Sequence, residues 1–579
     1  MLHIPFLAFA LMFAPPVDGG TRLADLSADE LIPVLGADAS AEVEGDVLRI
    51  TVPTVGQNAW DTQVTSPPID GTVAKDEYVY FTFRARAVSA QNEQQEGLLS
   101  SARFQDREPN WESAGDTSAR LTSAWRTFHV VGVALRPYEP GTAELTFHLA
   151  AQAQVIELAD VEVWKYPAGF DVSQLPVNEV DYPGREADAA WRAVAAASIE
   201  AHRKADMRVT VTQDGVPVED AQVTVAMTKH AFHFGSFLGG QFLLDTPDRE
   251  RMRASFEENF NYATTPVYWA DWGWELPESQ RNYKAQIEWL GERGIPYRAH
   301  NIIWSSSTYL PRDVFAITDP NELRALSEAQ VREVVGFAAP HGVTDYDVIN
   351  EPRVNQVIEE RCGPDIVGDW YRIAEELDPE ARMFVNDYGI VNNGGIQQAN
   401  IDFYTQWITT ALEKGWPVEG IGIQGHFGEG LTDPARVREI LDEFAEFDLP
   451  IHITEFDIET YNEKAQADYT RDFLTVCFSH PSVDAFILWG WWAGDHWKPA
   501  GAMLREDWTP KPNYHVWRDL VYNQWWTDET TSTNADGVAE IRGFKGTYLV
   551  TVTVDGKSIE KEVDMVDDVN VVIDLLATE

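Results

Sequence analysis

Eight short apolar runs alternate with amphipathic stretches between residues 230 and 526, and few folds can absorb such a pattern. The runs are HAFHFGSF (230–237), ATTPVYWA (263–270), YRAHNIIW (297–304), DYDVIN (345–350), ARMFVND (381–387), GIGIQGH (420–426), IHITEFD (451–457) and AFILWGW (485–491). Stretches with helical periodicity, such as 279–293, 321–339, 433–447 and 462–479, lie between them. Runs of this length with apolar interiors read as strands buried on both faces, which is the habit of parallel sheets covered by helices. Eight β-then-α units in about 300 residues match a (β/α)8 TIM barrel in count and length. A doubly wound open sheet is the competing architecture. The eightfold count favours the barrel, and no glycine-rich dinucleotide loop follows the first run.

The flanks follow a different rule. Residues 21–166 carry alternating strands such as DVLRITV, EYVYFTFRARAV, WRTFHVVGVAL, AELTFHLA and VIELADVEVWKY, separated by turn residues, which predicts an N-terminal β-sandwich or jelly roll. A linker with Pro167, Pro176, Pro183 and Gly184 leads into an Ala-rich helix over about 186–205, so 167–206 reads as linker and helix. Residues 207–228 read as a hairpin around Asp214-Gly215. Asp536-Gly537 and Asp555-Gly556 mark similar turns near the C-terminus. One hairpin is marginal alone, so 207–229 and 527–579 are expected to join as a small discontinuous β-sandwich flanking the barrel at 230–526.

Composition narrows the partners. With 93 acidic and 44 basic residues the formal charge is −49, which disfavours nucleic acid and anionic membranes and leaves a neutral polymer acceptable. Residues 4–15, IPFLAFALMFAP, have the length of a secretory leader rather than a membrane span, so a signal peptide is expected over 1–20 and a secreted, periplasmic or extracellular protein beyond it, with no membrane partner. A monomer is expected. The two cysteines, Cys362 and Cys477, are too few for a disulfide framework and read as free thiols.

In a barrel of this kind the active site lies at the C-terminal strand ends, and those ends are polar here. Strand three ends near His300 and Trp304, and strand four at Asn350-Glu351. Strand five ends at Asn386-Asp387-Tyr388, strand six at Gln424-Gly425-His426, strand seven at Glu455-Phe456-Asp457 and strand eight at Trp489. Polar groups leaving apolar strands are costly unless something satisfies them. Two carboxylates, Glu351 and Glu455, suit glycoside hydrolysis, in which one protonated and one ionised carboxyl flank the cleaved bond. Strands four and seven are expected to face each other across the barrel and bring the two together.

These segments resemble the family 10 glycoside hydrolases, the family of endo-β-1,4-xylanases. YDVINEP resembles the family's acid/base motif and IHITEFDI its nucleophile motif. RAHNIIW, MFVNDYG and IGIQGHF resemble the strand-three, strand-five and strand-six segments, and WGWWAGDHW followed by MLREDWTPKPNY resembles the end of the domain. The resemblance implies Glu351 as acid/base and Glu455 as nucleophile of a retaining enzyme. It implies Asn350 on the 2-hydroxyl of the sugar before the cleaved bond, His426 holding the nucleophile and Asp457 supporting that histidine. His300 and Trp304 would line the same subsite, and Trp489 and Trp497 would form sugar platforms. Asn386, Tyr388 and Gln424 join the substrate-binding set at the strand ends. The charge of Glu455 is expected to raise the pKa of Glu351. No metal or organic cofactor is needed for this chemistry.

The second strand departs from the family. It normally carries a Glu-Asn pair and then Lys-Trp, which grip the glycone sugar. Here the segment reads TTPVYWADWGW (264–274), with Trp269, Trp272 and Trp274 crowding in. Ser305 and Ser307 stand where the family usually has His and Gln. Trp269 and Trp272 are therefore taken as candidate stacking residues, since sugar rings present apolar faces to aromatics. The N-terminal sandwich, through LTSAWRTFHVVGV and IELADVEVW, looks like a carbohydrate-binding module, with Trp60 and Trp111 as candidate stackers. The sequence thus predicts a retaining endo-acting hydrolase of β-1,4-xylan. A relative acting on another β-linked glycan and a non-catalytic glycan-binding protein remain as alternatives.

Overall fold

The computed structural model describes residues 16–91, 96–107 and 113–575. The apolar run at 4–15 and Trp111 lie outside them. The chain divides into two compact units, one built from the chain up to Val180 with Gly428–Gly430 and Glu459–Asn462, the other from Asp181–Phe427, Leu431–Ile458 and the chain from Glu463 onward.

The first unit is a sandwich of two antiparallel sheets. One sheet orders Ser40–Glu44, Val47–Val52, Gln154–Tyr166, Tyr78–Ala90 and Arg126–Val133, with Thr21–Leu26 also paired to Gln154–Tyr166. The other orders Ile32–Val34, Gln63–Thr65, Ala143–His148, Gly97–Asp106 and Ser113–Leu121. Strand alternation sends Ile50, Phe81, Phe83, Phe104, Leu145, Phe147 and Leu158 into one core. Trp60 stays 44% exposed.

The second unit holds the barrel. Its strands are β1 (His233–Phe237), β2 (Tyr262–Pro266), β3 (Tyr297–His300), β4 (Asp345–Asn350), β5 (Arg382–Asp387), β6 (Gly420–Ile423), β7 (Ile451–Ile458) and β8 (Val483–Leu488). All pair in parallel, each with its sequence neighbour, and β8 pairs with β1 to close the ring. The helices are α1 (Arg249–Asn259), α2 (Pro277–Arg293), α3 (Pro320–Ala338), α4 (Ile366–Leu377), α5 (Gln398–Glu413), α6 (Pro434–Ala445), α7 (Glu463–Ser479) and α8 (Pro512–Asp519). Local chemistry fixes their starts. Asp319 and Asp433 cap α3 and α6 by accepting from Asn321 N (2.9 Å) and Ala435 N (2.8 Å), each followed by a proline in the first turn.

The ring order corrects one expectation. β4 and β7 stand three places apart, separated by β5 and β6, rather than facing each other. Residues of β5 and of the segment after β6 can therefore reach both glutamates.

The small sandwich also differs from the hairpin reading. Lys204–Gln213 and Gln222–His230 do not pair with each other. The first lies between Val538–Phe544 and Val569–Asp574, and the second between Asp528–Ser532 and Gly546–Val554. The Asp214-Gly215 turn closes only a short return to Val216–Pro217, after which the chain crosses to the other sheet. A turn dipeptide sets local reversal and not the partner of the strand beyond it. Lys557–Met565 completes the second sheet as a hairpin with Gly546–Val554. The helix Ala190–His202 is fastened to α7, where Arg192 grips Asp472 at 2.8 and 2.7 Å. Both cysteines are free thiols, Cys362 half-buried and Cys477 buried.

Candidate active site

The site begins with a buried ionic floor. Arg298 of β3, fully buried, pairs with Asp347 of β4. The second oxygen of Asp347 lies 2.8 Å from His300 Nδ1, which turns His300 Nε2 toward Glu455 Oε1 at 3.8 Å. A buried ion pair is tolerable only when its geometry is satisfied. Here it serves as an anchor that fixes the ring of His300.

Glu455 on β7 is 4% exposed and is met on both oxygens. Asn386 of β5 donates to Oε1 at 2.7 Å, and His426 Nε2 lies 2.9 Å from Oε2. Asn386 is itself held. Its amide also donates to Asn350 Oδ1 at 2.9 Å, and its carbonyl oxygen accepts from Thr454 at 2.7 Å. Close approach requires glycine beside it, since a Cβ on Gly422 of β6 would lie 2.6 Å from Asn386 Oδ1. Behind His426, Asp457 Oδ1 lies 3.1 Å from Nδ1, and Trp497 donates to Asp457 Oδ2 at 2.6 Å. Burial alone would lower the His426 pKa, but the Asp457 and Glu455 carboxylates outweigh it and raise it to about 9. His426 is therefore a cation at neutral pH, the form that steadies a carboxylate beside it.

Glu351 follows the last residue of β4 with φ of +52°. A left-handed backbone at a non-glycine costs on the order of 1–3 kcal/mol, and it persists where surroundings over-determine it. Here Glu351 N–H donates to Asn386 O at 2.7 Å. Gln424 donates to Glu351 Oε1 at 3.1 Å, and Trp304 and Asn355 donate to Oε2 at 3.2 and 3.1 Å. Burial raises its pKa to about 6, the Gln424 hydrogen bond opposes this, and the charge of Glu455 adds to it. The neighbouring carboxylate is thus a secondary cause, where the sequence reading made it the main one.

Asp387, next to Asn386, is raised to about 8 by burial and then by Glu351, so it stays protonated at neutral pH. Tyr388 is half-buried, and its hydroxyl accepts from Arg353 at 3.3 Å. Trp489 stacks on Phe237 with ring centroids 4.3 Å apart and meets His300 edge-on at 5.0 Å. Trp497, 49% exposed, is an open ring beside His426.

The structure separates the second-strand tryptophans. Trp272 is 48% exposed, whereas Trp269 is 4% exposed with its indole N–H on Glu275 at 2.9 Å. Trp269 is a packing residue rather than the open stacker expected of it. Trp274 is also buried, donating to Glu333 at 3.0 Å. Ser305 is buried and braces the loop after β4, donating to Glu359 at 2.5 Å and accepting from Ile358 N at 2.8 Å. Sequence reasoning passed over Asp347, Arg298, Asn355 and Tyr268 as site residues. The alternation of Arg298 with His300 and the i, i+4 spacing of Glu351 and Asn355 were the available signals. Among the described residues no three His, Cys, Asp or Glu side chains gather as a metal-binding group.

Residues 278–520 match the family model for glycosyl hydrolase family 10, a span that begins in α2, after β2 and the altered segment. The chain is 30% identical over 363 residues to the anti-sigma-I factor RsgI6 of Acetivibrio thermocellus, covering 61% of this chain and 46% of that protein. It is 29% identical over 372 residues to endo-1,4-beta-xylanase 2 of Arabidopsis thaliana, covering 63% of this chain and 33% of the relative. It therefore spans less than half the length of either. The crystal structure of native xylanase 10B from Thermotoga maritima aligns at 25% identity with a TM-score of 0.45, over 51% of this chain and 96% of that one. Over residues 278–520 the barrel of this chain carries the match to glycosyl hydrolase family 10.

Proposed function

We propose that the domain is a retaining endo-β-1,4-xylanase working by double displacement. The observation that carries the proposal is the contrast between the two glutamates. Glu351 holds its proton up to about pH 6, as a general acid must. Glu455 has both oxygens fixed by Asn386 and His426, as a nucleophile must. In the first step Glu455 attacks the anomeric carbon while Glu351 passes its proton to the departing oxygen. In the second, Glu351, now a carboxylate, takes a proton from water as that water displaces Glu455 from the sugar. His426 and Asn386 stabilise Glu455 as a leaving group, and the oriented groups need no reorganisation between steps.

The family domain and the xylanase names of several relatives support xylan as substrate. A different β-linked glycan is the second reading, favoured by the rebuilt segment 264–274. The proposal also places the protein outside the cytoplasm, on the strength of the apolar run at 4–15, and takes the N-terminal sandwich as a carbohydrate-binding module with Trp60 as a stacking residue. Chromatography of glucuronoxylan and arabinoxylan digests tests the central reading. A ladder of xylo-oligosaccharides from the wild type, lost in Glu455→Ala with an unchanged circular dichroism spectrum, is expected. Full activity in that variant would end the assignment, and release from mannan or glucan alone would move it to the second reading.

A further inference from the structure

The wall of the cleft beyond β2 is aromatic. Tyr268 meets the ring of His300 edge-on at 5.5 Å, leans on Trp272 at 5.1 Å and lies 6.2 Å from Trp304. Trp304 in turn stacks on Tyr309 at 3.8 Å. Trp272 and Tyr309 are 48% and 37% exposed, so the wall has open faces. It stands directly on the reacting groups, because Trp304 donates to Glu351 and His300 lies beside Glu455.

The polar groups along this wall are largely committed to the protein. The indole N–H of Trp269 is on Glu275, that of Trp274 on Glu333 and that of Trp304 on Glu351. Asp271 faces Arg312, accepting its backbone N–H at 3.3 Å and pairing with its guanidinium at 3.4 Å. Burial, with Glu455 and Glu351 nearby, keeps the Tyr268 phenol protonated at any working pH, so it presents a donor. A free sugar hydroxyl pressed here loses water and finds few acceptors beyond the phenol oxygens, which is penalised. An ester brings only acceptors and an apolar methyl group, which suits ring faces and a phenol O–H.

We infer that the wall of Tyr268, Trp272, Trp304 and Tyr309 selects an O-acetylated sugar beside the cleaved bond. This rests on the reading that Glu351 and Glu455 cleave a β-linked glycan. The test compares kcat/KM on acetylated xylo-oligosaccharides with that on the same preparation after mild alkaline deacetylation, reading reducing ends and product masses. The acetylated set is expected to be faster by about fivefold or more, the low end of what one unpaired hydroxyl costs, with acetyl groups on the new ends. Trp272→Ala, at an exposed position, is expected to bring the ratio toward one by lowering kcat/KM on the acetylated set more than on the deacetylated set. Tyr268→Phe is expected to lower the ratio less than Trp272→Ala does. Equal rates, or faster cleavage after deacetylation, overturn this inference alone. No release from either preparation overturns the hydrolase reading and this inference with it.

Discussion

The two sides of the barrel mouth are made by different means. From β4 through β7 the site is polar and tightly linked: Asn350, Asn386, His426 and Asp457 hold Glu455 through contacts of 2.7–3.1 Å. Beyond β2 and β3 it is aromatic, with Tyr268, Trp272, Trp304 and Tyr309 in ring contact. The first side is where charge develops during reaction, and a fixed network of donors is what that requires. In the proposed reaction the second side recognises the sugar, and stacking can replace hydrogen bonds there, although Trp304 also donates to Glu351. The family match starts at residue 278, so it leaves out Tyr268 and Trp272 of the aromatic side while it takes in Trp304 and Tyr309.

The largest effect expected from breaking this comparison is on the polar side. Glu351→Gln removes the general acid and should lower kcat on natural xylan by about 10²–10⁴-fold, with a smaller loss on an aryl glycoside whose leaving group needs no proton. In the wild type, activity should fall as pH rises through about 6, because Glu351 must be protonated for the first step. A rate that stays flat to pH 8 would show that another group is the acid.

On the aromatic side, Trp269 and Trp272 are three residues apart and should respond in opposite ways. Trp269→Ala should cost about 3–5 kcal/mol of stability, as for other buried tryptophans, while Trp272→Ala should stay within about 0.5 kcal/mol. Chemical denaturation measures both. Similar losses in the two variants would contradict the assignment of one as packing and the other as an open face.

Legibility in the sequence followed the same division. The barrel was readable because strands buried on both faces appear as continuous apolar runs, and polar residues at their ends have no packing reason to be there. Glu351, Glu455, His426 and Asp457 were found in this way and through the family motifs. Burial along TTPVYWADWGW was not readable, because three tryptophans in six residues give no period that says which ring faces solvent. The exchange of strands between the sheets of the small sandwich was equally hidden, since pairing between Met207 and Val569 or Val223 and Val552 is set by contacts hundreds of residues apart. The leading cause of the Glu351 shift depends on burial, which the sequence does not display.

A smaller effect sharpens the polar side further. The raised pKa of Glu351 means that its contribution to stability is full below the unfolded value near 4.5 and is lost as pH rises through about 6. Glu351→Gln carries no charge at any pH, so it should stabilise the fold above pH 6 by roughly 1 kcal/mol, discounted for partial exposure, and change nothing below pH 4. Thermal unfolding at pH 4 and pH 7.5 measures this, and an equal shift at both would contradict it.

The account stands on Glu455 as the nucleophile of a covalent intermediate. The most direct measurement is mass spectrometry of the enzyme after incubation with a 2-deoxy-2-fluoro xylobioside bearing an activated leaving group. The account predicts one glycosyl adduct per chain, on the peptide that carries Glu455. An adduct on a different residue, or rapid turnover of the reagent by Glu455→Ala, would contradict it.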